Sequence, residues 1–223
     1  MSAENGESPP APAGQGNDQP GTRQKILDTA IDLFSRKGYE AVSMQDIADA
    51  VGIRKSSIYS HFKGKDEILQ NILTFFIAEL AKTGTKDEGA LIETYLGTLG
   101  PAGLMAAVDK QFEDRLQAPR LRKVWRMIAM EIYRNAMIRS FFEREMLEKP
   151  ARFWEKAFRA MMERGMIRRT DPAVLAREYH AFHVYTYVRY LLLFSDDEAE
   201  KLQSVTQNEG IAHVKFFMEM LKA

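Results

Sequence analysis

The chain has 223 residues and a hydrophobic fraction of 45%, enough for a substantial core, and it contains no cysteine. Disulfides and thiolate metal sites are therefore excluded, and the composition suits a reducing cytoplasm. Lysine plus arginine equals aspartate plus glutamate at 31 each, so net charge alone gives no sign of a polyanionic partner. The apolar run Tyr190 to Phe194 is far shorter than the roughly 20 residues of a membrane helix, and the N-terminus lacks a signal-peptide pattern. We expect a cytoplasmic protein without a membrane partner.

Charge is distributed unevenly along the chain. By segment, the net charge is −3 for residues 1–21, +3 for 22–65, −4 for 66–112, +7 for 113–169 and −3 for 170–223. Positive charge is concentrated in two segments, so overall neutrality does not argue against a local phosphate-binding surface. The +7 segment also allows an anionic amphipathic ligand such as an acyl thioester, although such an excess is more often a solvated helix surface.

Residues 1–21 contain four prolines, four glycines and no aromatic or β-branched side chain. Such a stretch buries too little apolar surface to offset its ordering entropy, so we expect a disordered tail. Beyond it, apolar residues recur at helical spacing and no period-two alternation is present. The sequence therefore predicts an all-α fold.

The first predicted helices are punctuated by glycines and a capping signal. Gly38 and Gly52 are placed to end two of them, because glycine tolerates the left-handed conformation that follows a helix. Ser43 and Asp46 have the spacing of a capping box, which opens a helix. The predicted helices are about 22–37, 43–51 and 54–62, with a fourth that starts near 65.

Prolines at 101, 119 and 150 separate the next predicted helices, at about 89–99, 102–117, 120–147 and 150–165. Asp171-Pro172 predicts a helix to about Phe194, because an N-cap followed by proline at the first helical position is a strong start signal. Thr206 and Glu209 have capping-box spacing and predict the start of a last helix at about 206–222.

The second and third predicted helices have the arrangement of a helix-turn-helix. In the third, Ile58 and Phe62 lie four residues apart on one buried face, and Ser56 and Ser60 point farthest from that face. Small hydroxyls suit a close approach to base edges and phosphates, so this helix is predicted to enter the major groove. The residues that flank the hydroxyls or add charge are Lys55, Ser57, Tyr59, Lys63 and Lys65.

Residues 22–69 resemble the tetracycline-repressor (TetR) family of bacterial regulators in order and spacing. The matching stretches are TRQKILDTA at 22–30, LF at 33–34, KGY at 37–39, SMQDIADA at 43–50, VGI at 51–53 and IYSHFKGKDEIL at 58–69. Arg54 departs from the family's usual Ser or Thr, and Ser56 from its common Gly or Ala, which bears on base preference or capping. The resemblance implies a three-helix DNA-binding domain at 22–69, with the helix-turn-helix at 43–62. It further implies a helical-bundle ligand-binding and dimerisation domain at 70–223.

The resemblance also implies the residues that contact DNA. Ser43 and Met44 would set the N-terminus of the second helix on a phosphate, which the helix dipole favours. The expected contacts to backbone phosphates are Tyr59, His61 and Lys65. The candidates for lining or reading the groove are Lys55, Ser56, Ser57 and Ser60, with Arg54 reaching bases or phosphate. The alternative is that 22–69 is an ordinary three-helix packing unit.

The predicted helix at 172–194 carries apolar or aromatic residues nearly all round, so it must be buried on all sides. The resemblance implies that this helix and the one at 206–222 form a four-helix bundle with a second copy, which supplies the additional buried surface. The alternative is a central core helix in a monomer. The candidate interface residues are Tyr187, Leu191, Val214 and Met218.

The middle of the chain is rich in methionine and aromatic residues, which suit an adaptable pocket for a small, largely apolar effector. For any single residue, a place in the core is the simpler interpretation. The candidate pocket residues are Met105, Phe112, Trp125, Met130, Tyr133, Phe158, Met162 and His183.

His180 and His183 lie one helical turn apart and offer two metal ligands, with Glu178 nearby in sequence. No motif supplies a third ligand, so histidines in a core or pocket wall are the preferred interpretation, and we expect neither metal nor cofactor.

The sequence predicts a homodimeric repressor that binds operator DNA and is released by an effector. A second hypothesis is a structural or cell-division factor of the same fold that binds DNA without an effector. A well-formed, enclosed pocket would favour the first, and a collapsed interior the second. An enzyme is not expected, because the sequence contains no nucleophile elbow, phosphate-binding glycine loop or metal-hydrolase motif.

Overall fold

The computed structural model describes residues 21–81, 87–193 and 199–222, without the side chains of 116–117, 190–193 and 199–206. Within these ranges the regular structure is helical throughout, which confirms the predicted all-α class. The predicted tail falls outside them, except for Gly21. The helices are α1 (Thr22–Lys37), α2 (Met44–Val51), α3 (Lys55–Tyr59), α4 (Lys65–Ala81), α5 (Glu88–Gln117), α6 (Pro119–Glu131), α7 (Ala136–Phe142), a π-helical turn (Glu143–Glu148), α8 (Lys149–Glu163), α9 (Pro172–Leu193) and α10 (Ala199–Met220).

The signals around α2 act as the sequence predicts. The Ser43 hydroxyl accepts from the Asp46 amide at 3.1 Å, and the Asp46 carboxylate accepts from the Ser43 amide at 2.7 Å, so the capping box is confirmed. Gly52 follows with φ 80° and ψ 32°, left-handed values that glycine adopts without penalty. Its N–H donates to the Ala48 carbonyl at 2.9 Å, which ends the helix. The next helix is shorter than predicted, because α3 ends at Tyr59.

Three other predicted boundaries are also confirmed. Gly100 has φ 68° and ψ −177° and breaks α5 just before Pro101. Pro119 begins α6. Asp171 caps α9, since its Oδ1 accepts from the Ala173 amide at 2.9 Å.

The break predicted at Pro150 is wrong. The helix runs through this residue, because the π-helical turn Glu143–Glu148 immediately before it changes the hydrogen-bond register and accommodates a residue without an N–H. The chain breaks instead after Glu131. There Asn135 caps α7 by accepting from the Ile138 amide at 3.1 Å.

The predicted start of the last helix at Thr206 is also wrong. α10 begins at Ala199, so Thr206 lies inside the helix. The stretch 199–205 reads AEKLQSV and contains neither glycine nor proline, so nothing in it stops a helix. Glu209, which was expected in a capping box, pairs with Arg189 of α9 at 2.7 Å.

Buried side chains form two clusters. The first joins α1–α4 to α6 and α7, and its members include Phe34, Ile58, Phe76, Trp125 and Phe141. The second joins α5, α8, α9 and α10, and its members include Leu104, Trp154, Phe158, Tyr179 and Val214. The helix-turn-helix therefore shares its core with α6.

α6 lies along α1 and runs parallel to it. Arg120, at the beginning of α6, pairs with Asp28 in the middle of α1 at 2.6 Å. At their far ends, the Tyr39 amide donates to Oε1 of Glu131 at 2.8 Å. Glu131 is only 3% exposed, so this is a buried carboxylate held by a backbone N–H. The contact fixes the position of the α1–α2 loop relative to α6.

Glu88–Arg115 is one described segment long and apolar enough, by length and composition, to cross a membrane. The break at Gly100 divides it into two helical pieces. Ile92, Leu96 and Leu104 from both pieces are buried in the second cluster, so one side of the segment faces the protein interior.

Gly38 is expected to be intolerant of any side chain. It has φ 83° and ψ 159°, a conformation open to glycine, and an added Cβ would lie 2.7 Å from Oε1 of the buried Glu131. We expect Gly38→Ala to lower the free energy of unfolding by about 2–4 kcal/mol, from backbone strain and disturbance of this carboxylate. The measurement is urea denaturation of the purified variant.

The matched control is Gly52→Ala, because Gly52 has a similar φ of 80° and no atom within 4 Å of the added Cβ. It should cost about 1–2 kcal/mol from the left-handed backbone alone. Equal losses for the two variants would contradict a contribution from Glu131.

Candidate DNA-contacting surface and internal cavity

The outer face of α3 and its flanks is polar and open to solvent. Its exposed residues are Arg54, Lys55, Ser56, Tyr59 and Ser60, and Ser57 and His61 lie half-buried at the margin. On the opposite side, Ile58 is fully buried in the first cluster. The sequence-predicted groove residues therefore share one accessible surface.

The N-terminus of α2 already holds an anion. Oδ2 of Asp46 accepts from the amide and the hydroxyl of Ser43, at 2.7 and 2.6 Å, and the hydrogen bond to this hydroxyl lowers the pKa of Asp46. Ser43 is exposed, whereas the side chain of Met44 is 8% exposed and packs in the first cluster. Of the two predicted phosphate contacts, Met44 can offer only its backbone amide.

Lys65 has a partner within its own chain. Its ammonium group donates to the Tyr39 carbonyl at 2.8 Å and lies 4.2 Å from the centroid of the Tyr39 ring. The Tyr39 hydroxyl donates to Asp66, and burial together with this bond raises the pKa of Tyr39. Lys65 thus connects the start of α4 to the α1–α2 loop. A DNA phosphate bound by Lys65 would accept from an ammonium group that also donates to the Tyr39 carbonyl.

A cavity of about 220 Å³ lies between the two clusters, bounded by α4, α5, α6, α8, α9 and the segment around the π-helical turn. Most of its wall is apolar. The apolar side chains are Leu80, Val108, Phe112, Trp125, Phe142, Met146, Pro150, Trp154 and Val184. The residues with polar groups are Arg115, Glu145, His180, His183 and Tyr187.

Three of the predicted pocket residues line this cavity, namely Phe112, Trp125 and His183. The other five do not. Met105, Phe158 and Met162 pack in the second cluster, whereas Met130 and Tyr133 are 42% and 90% exposed at the end of α6. Residue type alone does not separate a core position from a cavity wall. Val184 was missed, Tyr187 was assigned to the dimer interface, and His180 was expected only in a core or pocket wall, although all three lie with His183 at helical spacing on α9.

A buried polar network stands behind one wall of the cavity. The Asp109 carboxylate accepts from the Tyr179 hydroxyl and from Nε2 of His183, both at 2.8 Å. All three side chains are at most 5% exposed, and burial raises the pKa of Tyr179. Because the carboxylate accepts, Nε2 of His183 carries the proton, and Nδ1 presents a lone pair when the ring is neutral.

Three cavity-wall residues carry a buried polar atom with no hydrogen-bond partner among the described residues. These atoms are Nε1 of Trp125, Nδ1 of His183 and the hydroxyl oxygen of Tyr187. The residues are 2%, 5% and 7% exposed. An unpaired buried polar group costs about 1–3 kcal/mol, so three in one wall form an unusual concentration.

Charged groups stand at the edge of the same cavity. Glu145 lines it and pairs with Arg144 at 2.8 Å and with Lys149. Burial raises the pKa of Glu145, but the hydrogen bonds and charges of these two cations outweigh burial, so the pKa is lowered. Arg115 also lines the cavity, and burial lowers the pKa of its guanidinium group. A guanidinium nevertheless stays charged at neutral pH.

His180 and His183 do not assemble a metal centre with their neighbours. Nε2 of His180 bonds to the Met146 carbonyl at 2.7 Å, and Nε2 of His183 is occupied by Asp109. Among the described ranges, no group of three side chains has a geometry suited to a metal ion.

The predicted interface residues need correction. Tyr187 and Val214 are each 7% exposed, because they pack inside the subunit, and Met218 is half-buried against the second cluster. The side chain of Leu191 lies outside the described residues. Other large apolar side chains on the last two helices are exposed instead, namely Val174, Tyr185 and Val188 on α9 and Ile211, Phe216 and Met220 on α10.

The buried histidines should make the fold sensitive to acid. Burial lowers the pKa of His180 and of His213 from 6.5 to about 4. The unfolded chain therefore binds protons that the folded chain excludes between these values, so stability is full above pH 6.5 and falls as the pH drops towards 4. We expect a loss of about 1–2 kcal/mol per histidine at pH ~5 relative to neutral pH.

The measurement is the free energy of unfolding of wild type and His180→Gln across this pH range. The variant keeps a donor for the Met146 carbonyl but cannot titrate, so its stability should fall less steeply with acid. Parallel curves for the two proteins would rule out His180 as a source of the slope.

Residues 26–72 match the family model described as "Bacterial regulatory proteins, tetR family". The repressor KstR2 of Rhodococcus jostii is 39% identical over 71 residues, which is 32% of this chain and 35% of that protein. The chain thus spans about a third of the length of the curated relatives it matches.

The likeness in fold extends much further. A TetR-family regulator from Mesorhizobium loti matches with a TM-score of 0.68 at 18% identity, over 91% of this chain and 97% of that one. AibR, solved in complex with isovaleryl coenzyme A and operator DNA, matches with a TM-score of 0.60 at 20% identity, over 84% and 97%. The N-terminal domain therefore matches the TetR family model, and the chain as a whole shares the fold of solved TetR-family regulators.

Proposed function

We propose that this protein is a homodimeric transcriptional repressor that binds operator DNA through α2 and α3 and is released by a small, largely apolar effector. The observation that carries the proposal is a hydrophobic core shared by the α3 surface and the cavity wall. The exposed polar face of α3 and the cavity-wall residue Trp125 belong to opposite sides of one continuous core. A change at the cavity therefore has a packed route to the DNA-contacting surface.

DNA binding is supported by the chemistry of the α3 surface. Arg54 and Lys55 place two cations at the start of the helix, where they can neutralise phosphates. Ser56 and Ser60 have short side chains, so base edges can approach the outer face of α3 closely. Repression is supported by the relative KstR2, which is named a repressor. A cytoplasmic location follows from a role on DNA in a bacterial cell.

Control by an effector is supported by the cavity. Its volume of about 220 Å³ exceeds the ~150 Å³ of an engineered cavity that holds benzene. A structural factor without an effector would have no use for such a space. AibR, which shares the fold, was solved with both isovaleryl coenzyme A and operator DNA, so this architecture accommodates both ligands.

A dimer is supported by the exposed apolar side chains of α9 and α10. Val174, Tyr185 and Val188 fall within a narrow stripe of α9, and Ile211 and Phe216 stand on the exposed side of α10. A two-fold interface buries the same patch on both copies, and it would hold two recognition helices about 34 Å apart for successive major grooves.

Neutralising the two cations of α3 tests DNA binding. We expect Arg54→Gln combined with Lys55→Gln to weaken binding to a mixed-sequence duplex and to reduce the salt slope of log K by up to about 2. The measurement is fluorescence anisotropy at several salt concentrations with a duplex of about 30 base pairs. The matched control is Lys222→Gln, an exposed lysine after α10. The docking proposal fails if the double variant and the control bind alike.

A charge on the α9–α10 surface tests the dimer. Phe216→Asp would bury an unpaired carboxylate in each copy, so we expect it to sediment as a folded monomer and to lose tight DNA binding. Leu99→Asp is the matched control, because Leu99 is also 55% exposed but lies on α5. A monomeric wild type at micromolar concentration, or a Phe216→Asp protein that remains a dimer, would contradict this interface.

A further inference from the structure

The cavity wall specifies more than an apolar ligand. Trp125, His183 and Tyr187 come from α6 and α9, and the rings of Trp125 and Tyr187 lie 4.7 Å apart between centroids. His183 and Tyr187 are separated by one helical turn, so they occupy one side of α9. The three residues therefore line one wall, and their unpaired polar atoms are covered by neighbouring atoms. A ligand towards which these side chains turn can pair the atoms and remove their desolvation cost.

These atoms have different hydrogen-bonding capacities. The indole N–H of Trp125 can only donate, so it requires an acceptor. The Tyr187 hydroxyl can donate to the same acceptor. Nδ1 of His183 accepts when the ring is neutral, because Asp109 fixes the proton on Nε2, and it donates when the ring is protonated. A ligand group that complements these three side chains therefore has an acceptor oxygen, and it can share a proton with the His183 imidazole.

The charged residues of the cavity wall further restrict the class of ligand. Arg115 lines the cavity, and the carboxylate of Glu145 is already matched by Arg144 and Lys149. An ammonium group would face the Trp125 N–H and a guanidinium, and the one carboxylate among the described lining residues, Glu145, is already paired. A carboxylate would accept from the donors, and Arg115 would favour its charge.

We propose that the effector is a compact apolar molecule that ends in a carboxyl or acyl carbonyl group, with its hydrocarbon part in the cavity and its oxygen on the Trp125–Tyr187–His183 wall. The proposal rests on the effector-controlled function above. The volume of about 220 Å³ suits a single ring with a short chain, or a medium-length alkyl chain. The carbonyl can come from a free acid or from its thioester, and both present the same oxygen to the wall.

The test is isothermal titration of the full-length protein with matched probes. The acids are hydrocinnamate, octanoate and cyclohexanecarboxylate, and hydrocinnamoyl coenzyme A represents the thioester. Propylbenzene and hydrocinnamylamine carry the hydrocarbon of the first acid without the acyl oxygen. We expect at least one acid or the thioester to bind at least tenfold more tightly than propylbenzene, and the amine not to bind. The tighter of hydrocinnamate and its thioester identifies the source of the carbonyl.

Isosteric variants test which atoms are used. Tyr187→Phe removes one hydroxyl and should weaken binding of the acyl probe roughly five- to tenfold, while propylbenzene binds as before. Tyr185→Phe is the matched control, because Tyr185 lies on the same helix but is 52% exposed and outside the cavity wall. Trp125→Phe, which removes the donor but keeps a ring, should also weaken the acyl probe selectively.

Three results would overturn the assignment of the ligand class. The first is that no acid or thioester binds below millimolar concentration. The second is that the amine or the hydrocarbon binds as tightly as the acyl probe. The third is that Tyr187→Phe leaves acyl affinity unchanged. DNA release is measured separately. An acyl probe that binds through Tyr187 without releasing DNA would contradict effector control while leaving the ligand class intact.

Discussion

The attachment of α6 to α1 is the contact on which the other features of the molecule depend. Glu131 accepts from the Tyr39 amide at one end, and Lys123 pairs with Asp32 along the way. The second oxygen of the Glu131 carboxylate is buried without a partner, so this contact adds little net stability. Its effect is geometric. Sliding α6 by one turn would leave a buried carboxylate wholly unpaired, so one register of the two helices is favoured strongly over its neighbours.

A fixed register gives the cavity a direct mechanical relation to the proposed DNA-contacting surface. The Trp125 ring lies in the cavity wall and meets Phe76 of α4 edge-on, with 4.8 Å between ring centroids. A ligand that moves Trp125 must either carry α4 with it or break this contact. Since α4 starts at Lys65, which holds the α1–α2 loop, a shift of α4 reaches the segment just before α2. Such a ligand changes DNA affinity only by the difference in its affinity for the two arrangements.

Much of the fold and the exposed polar face of α3 could be predicted from sequence, because their signals are local. The capping box at Ser43, the glycine at 52 and the alternation of Ile58 with exposed serines each act within one or two turns. The predictions failed where a distant contact or an unusual local geometry overrode such a signal. Pro150 breaks no helix because a π-helical turn precedes it. Lys65 stays a predicted phosphate contact, and it also donates to the Tyr39 carbonyl of the α1–α2 loop, a distant contact that the local pattern does not reveal.

The cavity and the subunit surface show a deeper reason for the remaining errors. The sequence indicates that α9 is apolar nearly all round, but periodicity does not say which side meets which neighbour. Tyr187 faces the cavity, while Tyr185, two residues earlier, faces solvent. The +7 charge of residues 113–169 has a similar explanation. Several of these cations pair with acids from other segments, as Arg120 does with Asp28 and Lys156 with Glu88 at 2.9 Å. These cations therefore hold helices together, whereas the neutral donors of Trp125 and Tyr187 and the cavity-lining Arg115 would recognise an acyl ligand.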